Sequence, residues 1–287
     1  MMNFISVNSM NDTPSVEVYQ AVGSRENQED AYVVCKVEMG LLVAVADGHC
    51  GSKTAEKVAA HLPLMFHQTL EQIFKRSSQS RYIGLSHEKM RKVLRDVCKQ
   101  LIALTKDEVA GSTLTVAFIE RGTVRNDKEY GPRVRVTVGQ MGDSVFAASE
   151  KLGHLCVAPM HNVQTATKDI EQIQAAYSKK YNKECRVSEH YIHSSGNGHG
   201  GLAVTRALGD MPYMLVRKPV IKTYTMQPDN AIILLASDGI LTTINDSRKT
   251  IRQNMNRLRS GDRVQVIGEG ITRKPDNVTM ISIRFDT

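Results

Sequence analysis

Two short apolar runs, far apart in the chain, each end abruptly on Asp-Gly, and this repeated feature constrains the fold most. The first run, LLVAVA, is followed by Asp47, Gly48 and His49, and the second, AIILLA, leads through a serine to Asp238. Runs of this length and composition predict buried strands. A single Asp-Gly pair is equally typical of a plain turn. An unpaired carboxylate at the edge of a core is costly, so the repeat favours two strands that bring acids to a bound cation.

The two residues after Asp47 suit a reactive site. Gly48 has no Cβ, so its backbone can approach an ion closely. His49 has the one side chain whose ordinary pKa lies near neutrality, so it can serve as general acid, general base or ligand.

Further acids lie next to other predicted strands. Glu29 and Asp30 precede one strand, Asp143 lies in a turn, and Asp276 precedes the last strand. Each acid alone fits a solvated loop or a turn. Together they predict a group of carboxylates at one edge of the sheets, a donor set that selects hard ions such as Mg²⁺ or Mn²⁺.

The hydrophobic pattern predicts many strands but helices in only two or three places, which favours a mainly antiparallel α+β sandwich. Between two of the strands, residues 120–132 are predicted to form a polar loop. A tract rich in Gly and His at 190–201 is predicted to be a mobile loop, although His-rich tracts can also bind metal. The predicted helices and strands are the following: helices near 52–66, 86–107 and 168–181, and strands at 16–22, 31–37, 41–46, 112–119, 134–138, 145–148, 220–226, 231–236 and 278–285.

Composition limits the cellular setting. The chain has 287 residues, of which 41% are hydrophobic, and a net charge of +7 that arises from interspersed acids and bases. A mixed, solvated surface explains this charge better than a nucleic-acid stripe does. The five cysteines are scattered without a CxxC pair, which favours a reducing compartment. No run reaches membrane-spanning length, so we expect a chain located in the cytoplasm, the nucleus or both.

Seven segments occur in the order typical of one enzyme family: RENQEDA, VADGHCG, GSTLTVAF, VGQMGDS, LAVTRALGD, LLASDGI and DNVTMISI. In this order they resemble the metal-dependent serine/threonine protein phosphatases of type 2C, the PPM family. The resemblance implies one catalytic domain over residues 1–287, a four-layer α-β-β-α sandwich with a divergent flap at about 158–201. It also implies hydrolysis of phosphoserine and phosphothreonine in proteins. We expect a monomer with no nucleic-acid or membrane partner.

The resemblance assigns roles residue by residue. Two Mg²⁺ or Mn²⁺ ions would share Asp47 as bridge and activate the attacking water, with His49 as general acid and Arg25 on the phosphate. Asp30 would orient water, and Asp143 would help to hold a third ion. The metal ligands that the resemblance implies are Glu29, Asp47, Gly48, Asp238 and Asp276.

Two segments depart from the family pattern. Where relatives carry Trp and then Asp after Ser-Asp-Gly, this chain has Leu241 and Thr242, so the third ion loses a ligand. The flap contains VAPMHNV in place of the usual acidic, proline-ended loop, which bears on substrate preference. An inactive, phosphatase-like binding scaffold and a metal-dependent nuclease are the alternatives. Retention of the metal acids argues against the first, and the absence of an aromatic-interleaved basic stripe argues against the second.

Overall fold

The computed structural model describes most of the chain. The described residues are 3–6, 14–76, 85–125, 130–150, 154–193, 201–211, 213–241, 246–271 and 276–285. Thr242, residues 77–84 and residues 194–200 of the Gly- and His-rich tract lie outside these ranges.

Two larger antiparallel sheets form the centre of the molecule. The strands of sheet one, in spatial order, are β12 (Val220–Met226), β8 (Tyr130–Met141), β7 (Leu114–Arg125), β4 (Gly40–Ala46) and β3 (Ala31–Val37), with β1 (Asn3–Ser6) also paired to β7. The strands of sheet two, in spatial order, are β10 (Leu155–Val157), β9 (Val145–Ser149), β13 (Ile232–Ala236), β14 (Val278–Arg284) and β2 (Ser15–Ala21).

Helices cover both outer faces, so the predicted α-β-β-α sandwich is confirmed. Helices α1 (Lys53–Arg76) and α2 (His87–Leu104) pack on sheet one. Helices α4 (Ser247–Arg259) and α5 (Val264–Glu269) pack on sheet two. Helix α3 (Thr167–Tyr181) belongs to a separate small core that includes Leu202 and Val204.

The continuous apolar run of β4 follows from this layering. Leu42, Ala44 and Ala46 point into the core beneath α1 and α2, whereas Val43 and Val45 point into the core between the sheets. A strand that is buried on both faces favours an apolar side chain at successive positions. This burial explains why the sequence signal at β4 is so strong.

The polar loop predicted at 120–132 is wrong, because most of this segment extends β7 and β8 into a long hairpin. Glu120 lies opposite Arg135 across the two strands, and both side chains are 0% exposed. The Arg135 Nε donates to Glu120 Oε2 at 2.7 Å, within a bidentate pair. A buried carboxylate is tolerated when a guanidinium satisfies it in this way. The polarity of Glu120 therefore reflects a buried ion pair.

The sheets place the predicted site residues at one end of the sandwich. Ala46 at the end of β4 pairs with Ala31, the first residue of β3, and Ala236 at the end of β13 pairs with Met280 near the start of β14. The same Ala236 pairs with Val145, which begins β9 after the turn at Asp143. Acids just beyond these termini therefore share one edge.

A third, three-stranded sheet continues this edge. Its strands, in spatial order, are β11 (Leu208–Gly209), β6 (Gly111–Ser112) and β5 (Gly48–His49). Within the ranges described above, none of the helices is both long and apolar enough to span a membrane.

Candidate active site

Asp47 lies where β4 ends, and its backbone is fixed on both sides by Thr113. The Asp47 N–H donates to Thr113 Oγ1 at 3.1 Å, and the Thr113 N–H donates to the Asp47 carbonyl at 2.9 Å. The Asp47 carboxylate accepts the N–H of Asp238 at 3.4 Å. Burial, and then the charges of neighbouring carboxylates with Asp238 first, raise the pKa of Asp47 well above its ordinary value.

Three more acids share this environment. Burial, followed by the charges of Asp143, Asp276 and Asp30, raises the pKa of Asp238 to about 8. Burial also raises the pKa of Asp30 to about 6, although hydrogen bonds such as that from Thr279 Oγ1 at 2.8 Å oppose the shift. The pKa of Asp143 rises to about 6, again mainly through burial. Carboxylates whose pKa values are raised by burial and by one another favour a nearby cation.

Asp276 and Arg25 meet at the exposed side of this group. The Arg25 Nη2 donates to Asp276 Oδ2 at 3.0 Å, while Asp276 Oδ1 accepts the N–H of Asn277 at 2.8 Å. The Arg25 side chain is 51% exposed, so solvent and solutes reach its guanidinium. Both residues lie at the predicted edge, where they form an ion pair with each other.

Glu29 and Gly48 lie in direct backbone contact. A Cβ added at Gly48 would lie 2.3 Å from the backbone oxygen of Glu29, so this position requires glycine. Asn277 fixes the Glu29 segment, because its Oδ1 accepts the Glu29 N–H at 2.7 Å. Its Nδ2 also donates to the carbonyls of Val22 and Asn27 at 2.8 and 3.0 Å. Sequence reasoning assigned no role to Asn277, although its place directly after Asp276 was a usable signal.

His49 lies on β5 and contacts an acid that the sequence analysis did not single out. Its Nε2 is 2.7 Å from Asp210 Oδ1, and the Asp210 side chain is 2% exposed. Burial alone would lower the pKa of His49. The hydrogen bond with Asp210, and the charges of Asp210, Asp143 and Glu29, outweigh burial and raise this pKa. Asp210 ends the segment LAVTRALGD, so that segment contained the signal.

The donor set fits Mg²⁺ or Mn²⁺ in its chemistry, because both ions prefer carboxylate and carbonyl oxygens. In the part of the chain that the structure covers, no three His, Cys, Asp or Glu side chains converge as a ready-made ion cage. The acids nevertheless share one edge of the sheets. The Asp238 N–H already contacts the Asp47 carboxylate across this edge.

The sequence of this chain also matches a known protein family. The sequence model of the protein phosphatase 2C family matches residues 17–264. The chain belongs to this family. It is therefore a serine/threonine protein phosphatase, and the predicted resemblance is confirmed.

Individual relatives agree with the family assignment. The phosphatase is 25% identical to bovine (Bos taurus) "Protein phosphatase 1L" over 94% of this chain and 72% of that protein. Its fold is similar to that of serine-threonine phosphatase 2C from Toxoplasma gondii, with a TM-score of 0.70, 17% identity and coverage of 100% and 99% of the two chains. It is also similar to RsbX, solved in complex with magnesium, with a TM-score of 0.50, 13% identity and 100% coverage of both chains.

Proposed function

We propose that this phosphatase removes phosphate from phosphoserine and phosphothreonine in proteins by in-line attack of water, with divalent ions at the carboxylate edge. One observation carries the proposal: Asp47 and Asp238 lie side by side and half-buried, and the pKa of each carboxyl is raised well above its ordinary value. Such a pair is unfavourable in the protein alone and favourable around a cation.

The proposed ion ligands are those that the resemblance to the family implies. Asp47 would contact both ions. The Gly48 carbonyl and Glu29 would bind one of the two ions. Asp238 and Asp276 would bind the other ion. Bound Mg²⁺ or Mn²⁺ supplies charge neutralisation and a water whose pKa falls to as little as ~7. Asp30 interacts with Asp47, its charge also raises the pKa of Asp238, and it would orient water there. Asp143 is buried at the same edge, so a weaker third ion would use it.

Arg25 would bind the phosphate. Its guanidinium has paired donors that match phosphate oxygens, and its exposure leaves it accessible to a substrate. The hydrogen bond to Asp276 would be exchanged for one to the phosphate, and the Asp276 carboxylate would then be available to hold an ion.

His49 would donate a proton to the serine or threonine oxygen as the P–O bond breaks. The new P–O bond forms on the opposite side of phosphorus, so the products are inorganic phosphate and the free hydroxyl. A positioned general acid contributes about 10²–10⁴ in rate. The raised pKa of His49 favours the protonated ring that this step needs.

Hydrolysis of a phosphothreonine peptide with and without added ions tests the assignment. We expect activity with Mn²⁺ or Mg²⁺, complete loss in EDTA and recovery when the ion is returned in excess. Full turnover after exhaustive chelation would contradict the proposal. No turnover under any ion condition would favour the inactive scaffold.

The general acid role has its own test in His49→Ala. This variant should lose about 10²-fold or more on a phosphothreonine peptide, whose alkoxide leaving group needs a proton. It should lose little on p-nitrophenyl phosphate, whose leaving group departs without one. Equal losses on the two substrates would assign His49 a structural or ligand role.

A further inference from the structure

The three-stranded sheet brings His49 and Asp210 together over a glycine. Gly111 on the central strand β6 is paired with His49 on β5 and with Gly209 on β11. Asp210 follows Gly209 directly. The two side chains therefore come from opposite neighbours of one strand and meet above Gly111.

The contact between His49 and Asp210 requires glycine at position 111, because glycine has no Cβ. A Cβ at this position would lie 2.0 Å from His49 Nε2 and 2.2 and 2.3 Å from the two carboxylate oxygens of Asp210. Real Cβ atoms do not approach other heavy atoms this closely. The imidazole of His49 and the carboxylate of Asp210 therefore occupy the space that a side chain at position 111 would need.

The backbone of Asp210 is held in place independently of His49. Its N–H donates to the Ala110 carbonyl at 3.3 Å, and that carbonyl also accepts the Thr54 hydroxyl at 2.6 Å. The Asp210 carbonyl accepts the Arg217 Nη2 at 3.4 Å. The Asp210 carboxylate is thereby supported by a fixed segment at the rim of the proposed active site.

The carboxylate of Asp210 has one evident partner. Its Oδ1 contacts His49, whereas its buried Oδ2 has no hydrogen-bond partner among the described residues. Burial of an acid is costly unless it is paired, so a carboxylate placed here for stability alone would be a poor choice.

We propose that Asp210 is the positioning residue for His49 and that Gly111 provides the space for their contact. Asp210 accepts the Nε2–H, which fixes the ring orientation and leaves Nδ1 as the nitrogen that donates to the departing oxygen. A carboxylate that orients an imidazole in this way is known from unrelated hydrolases. The inference rests on the proposed general acid role of His49.

Two substitutions remove the contact to different extents. Asp210 has a φ of +56°, which glycine adopts without strain and asparagine tolerates, so both variants suit the backbone. Asp210→Gly leaves the imidazole without its acceptor, and we expect kcat on a phosphothreonine peptide to fall about 10- to 100-fold. Asp210→Asn retains an oxygen that can accept Nε2–H, so its loss should be smaller.

The decisive readouts distinguish positioning of His49 from general damage. Both Asp210 variants should keep near-parental turnover of p-nitrophenyl phosphate and the parental Mn²⁺ concentration for half-maximal activity. In a His49→Ala background, Asp210→Gly should add no further loss. Equal losses on peptide and aryl phosphate, or losses that multiply in the double variant, would overturn the inference.

Glu108→Gln is the matched control. Glu108 pairs with Lys53 and Lys57 at 2.9 and 2.8 Å, and its backbone oxygen accepts the N–H of Met211, the residue after Asp210. The variant alters the same segment without touching the imidazole, so it should show no dependence on the leaving group. If His49→Ala itself lacks that dependence, the general acid proposal fails, while the double variant still reports whether Asp210 acts through His49.

Discussion

Cys50, directly after His49, occupies a backbone conformation that most side chains avoid. Its φ is +59°, and Gly51 beside it has a φ of +118°. A non-glycine residue in the left-handed region costs about 1–2 kcal/mol. The chain therefore contains local strain next to its proposed general acid.

We predict that Cys50→Gly stabilises the protein by up to about 1 kcal/mol. Relief of the left-handed strain exceeds the extra entropy of glycine in the unfolded chain, which costs roughly 0.5–1 kcal/mol. Urea unfolding followed by circular dichroism measures the free energy of unfolding.

Cys35→Gly is the control for this prediction. Cys35 lies in the extended strand β3, where glycine only adds flexibility to the unfolded chain, so this variant should be destabilised. Destabilisation of Cys50→Gly to the same extent would show that the conformation at residue 50 costs nothing.

At the scale of elements, His161 connects the β8–β9 turn to the segment that carries α3. Its N–H and Nδ1 lie 2.8 and 3.2 Å from the Gly142 carbonyl, and its own carbonyl accepts the Thr205 N–H at 2.9 Å. Burial and then the charge of Arg206 lower the pKa of His161 to about 4, although Asp169 and the Gly142 bond oppose this shift. The neutral ring is therefore the folded form.

This shift predicts a loss of stability in mild acid. The pKa is about 6.5 in the unfolded chain and lower in the folded one, so the contribution is complete above pH 6.5 and is lost as pH falls towards 4. By pH 5 the loss amounts to about 2 kcal/mol. His161→Gln should lose about that much less stability than the parent between pH 7 and pH 5, as measured by urea unfolding.

The exposed residue His154 gives the matched control. His154→Gln should follow the parent at both pH values. Identical pH profiles for the parent and His161→Gln would mean that ring protonation at His161 does not affect folding.

Elements with a strong apolar period were predictable from the sequence. Strand β12 begins and ends where its pattern predicts, and β4 differs by a single residue. Helix α4 was missed because Ile251, Met255 and Leu258 are few among many polar and basic residues. These few apolar residues form a buried face only when α4 packs on sheet two, so the sequence pattern alone did not reveal the helix.

Part of the candidate site was also predictable from the sequence, and part was not. The predicted metal acids come from strand termini, a feature that sequence alone reveals, and the structure places them at one edge. The contact between His49 and Asp210 arises from the pairing of three short strands, two residues each, which have no periodic signal. Their register is a property of the assembled fold.

On the scale of the whole molecule, the clustered carboxylates of the site lower the stability of the sandwich that supports them. A carboxylate whose folded pKa is raised contributes most below its ordinary pKa of about 4, and that stability is lost as pH rises through the folded value. For Asp47 and Asp238 this loss is present near neutral pH in the absence of ions. The proposed divalent cation would reverse it, because an ion that binds the folded state and not the unfolded chain stabilises the fold.

We therefore predict opposite effects of Asp47→Asn on stability and activity. In EDTA at pH 7.5 the variant should be more stable than the parent, by about 1–3 kcal/mol, because an amide avoids burial of a charge among Asp238, Asp30 and Asp143. With Mn²⁺ the parent should gain thermal stability and the variant should gain almost none. Phosphatase activity of the variant should be nearly abolished. Calorimetry suits the measurement, since the chain has no tryptophan.

Asp229→Asn, at an exposed acid outside the site, separates this effect from a general response to lost charge. It should retain parental activity and the full Mn²⁺-dependent increase in melting temperature. If Asp47→Asn proved less stable than the parent in EDTA, the Asp47 carboxylate would be a net contributor to the fold, and repulsion among the acids could not be what favours the ion. If the variant kept its response to Mn²⁺, the bridging role of Asp47 would be wrong even though the remaining acids bind metal.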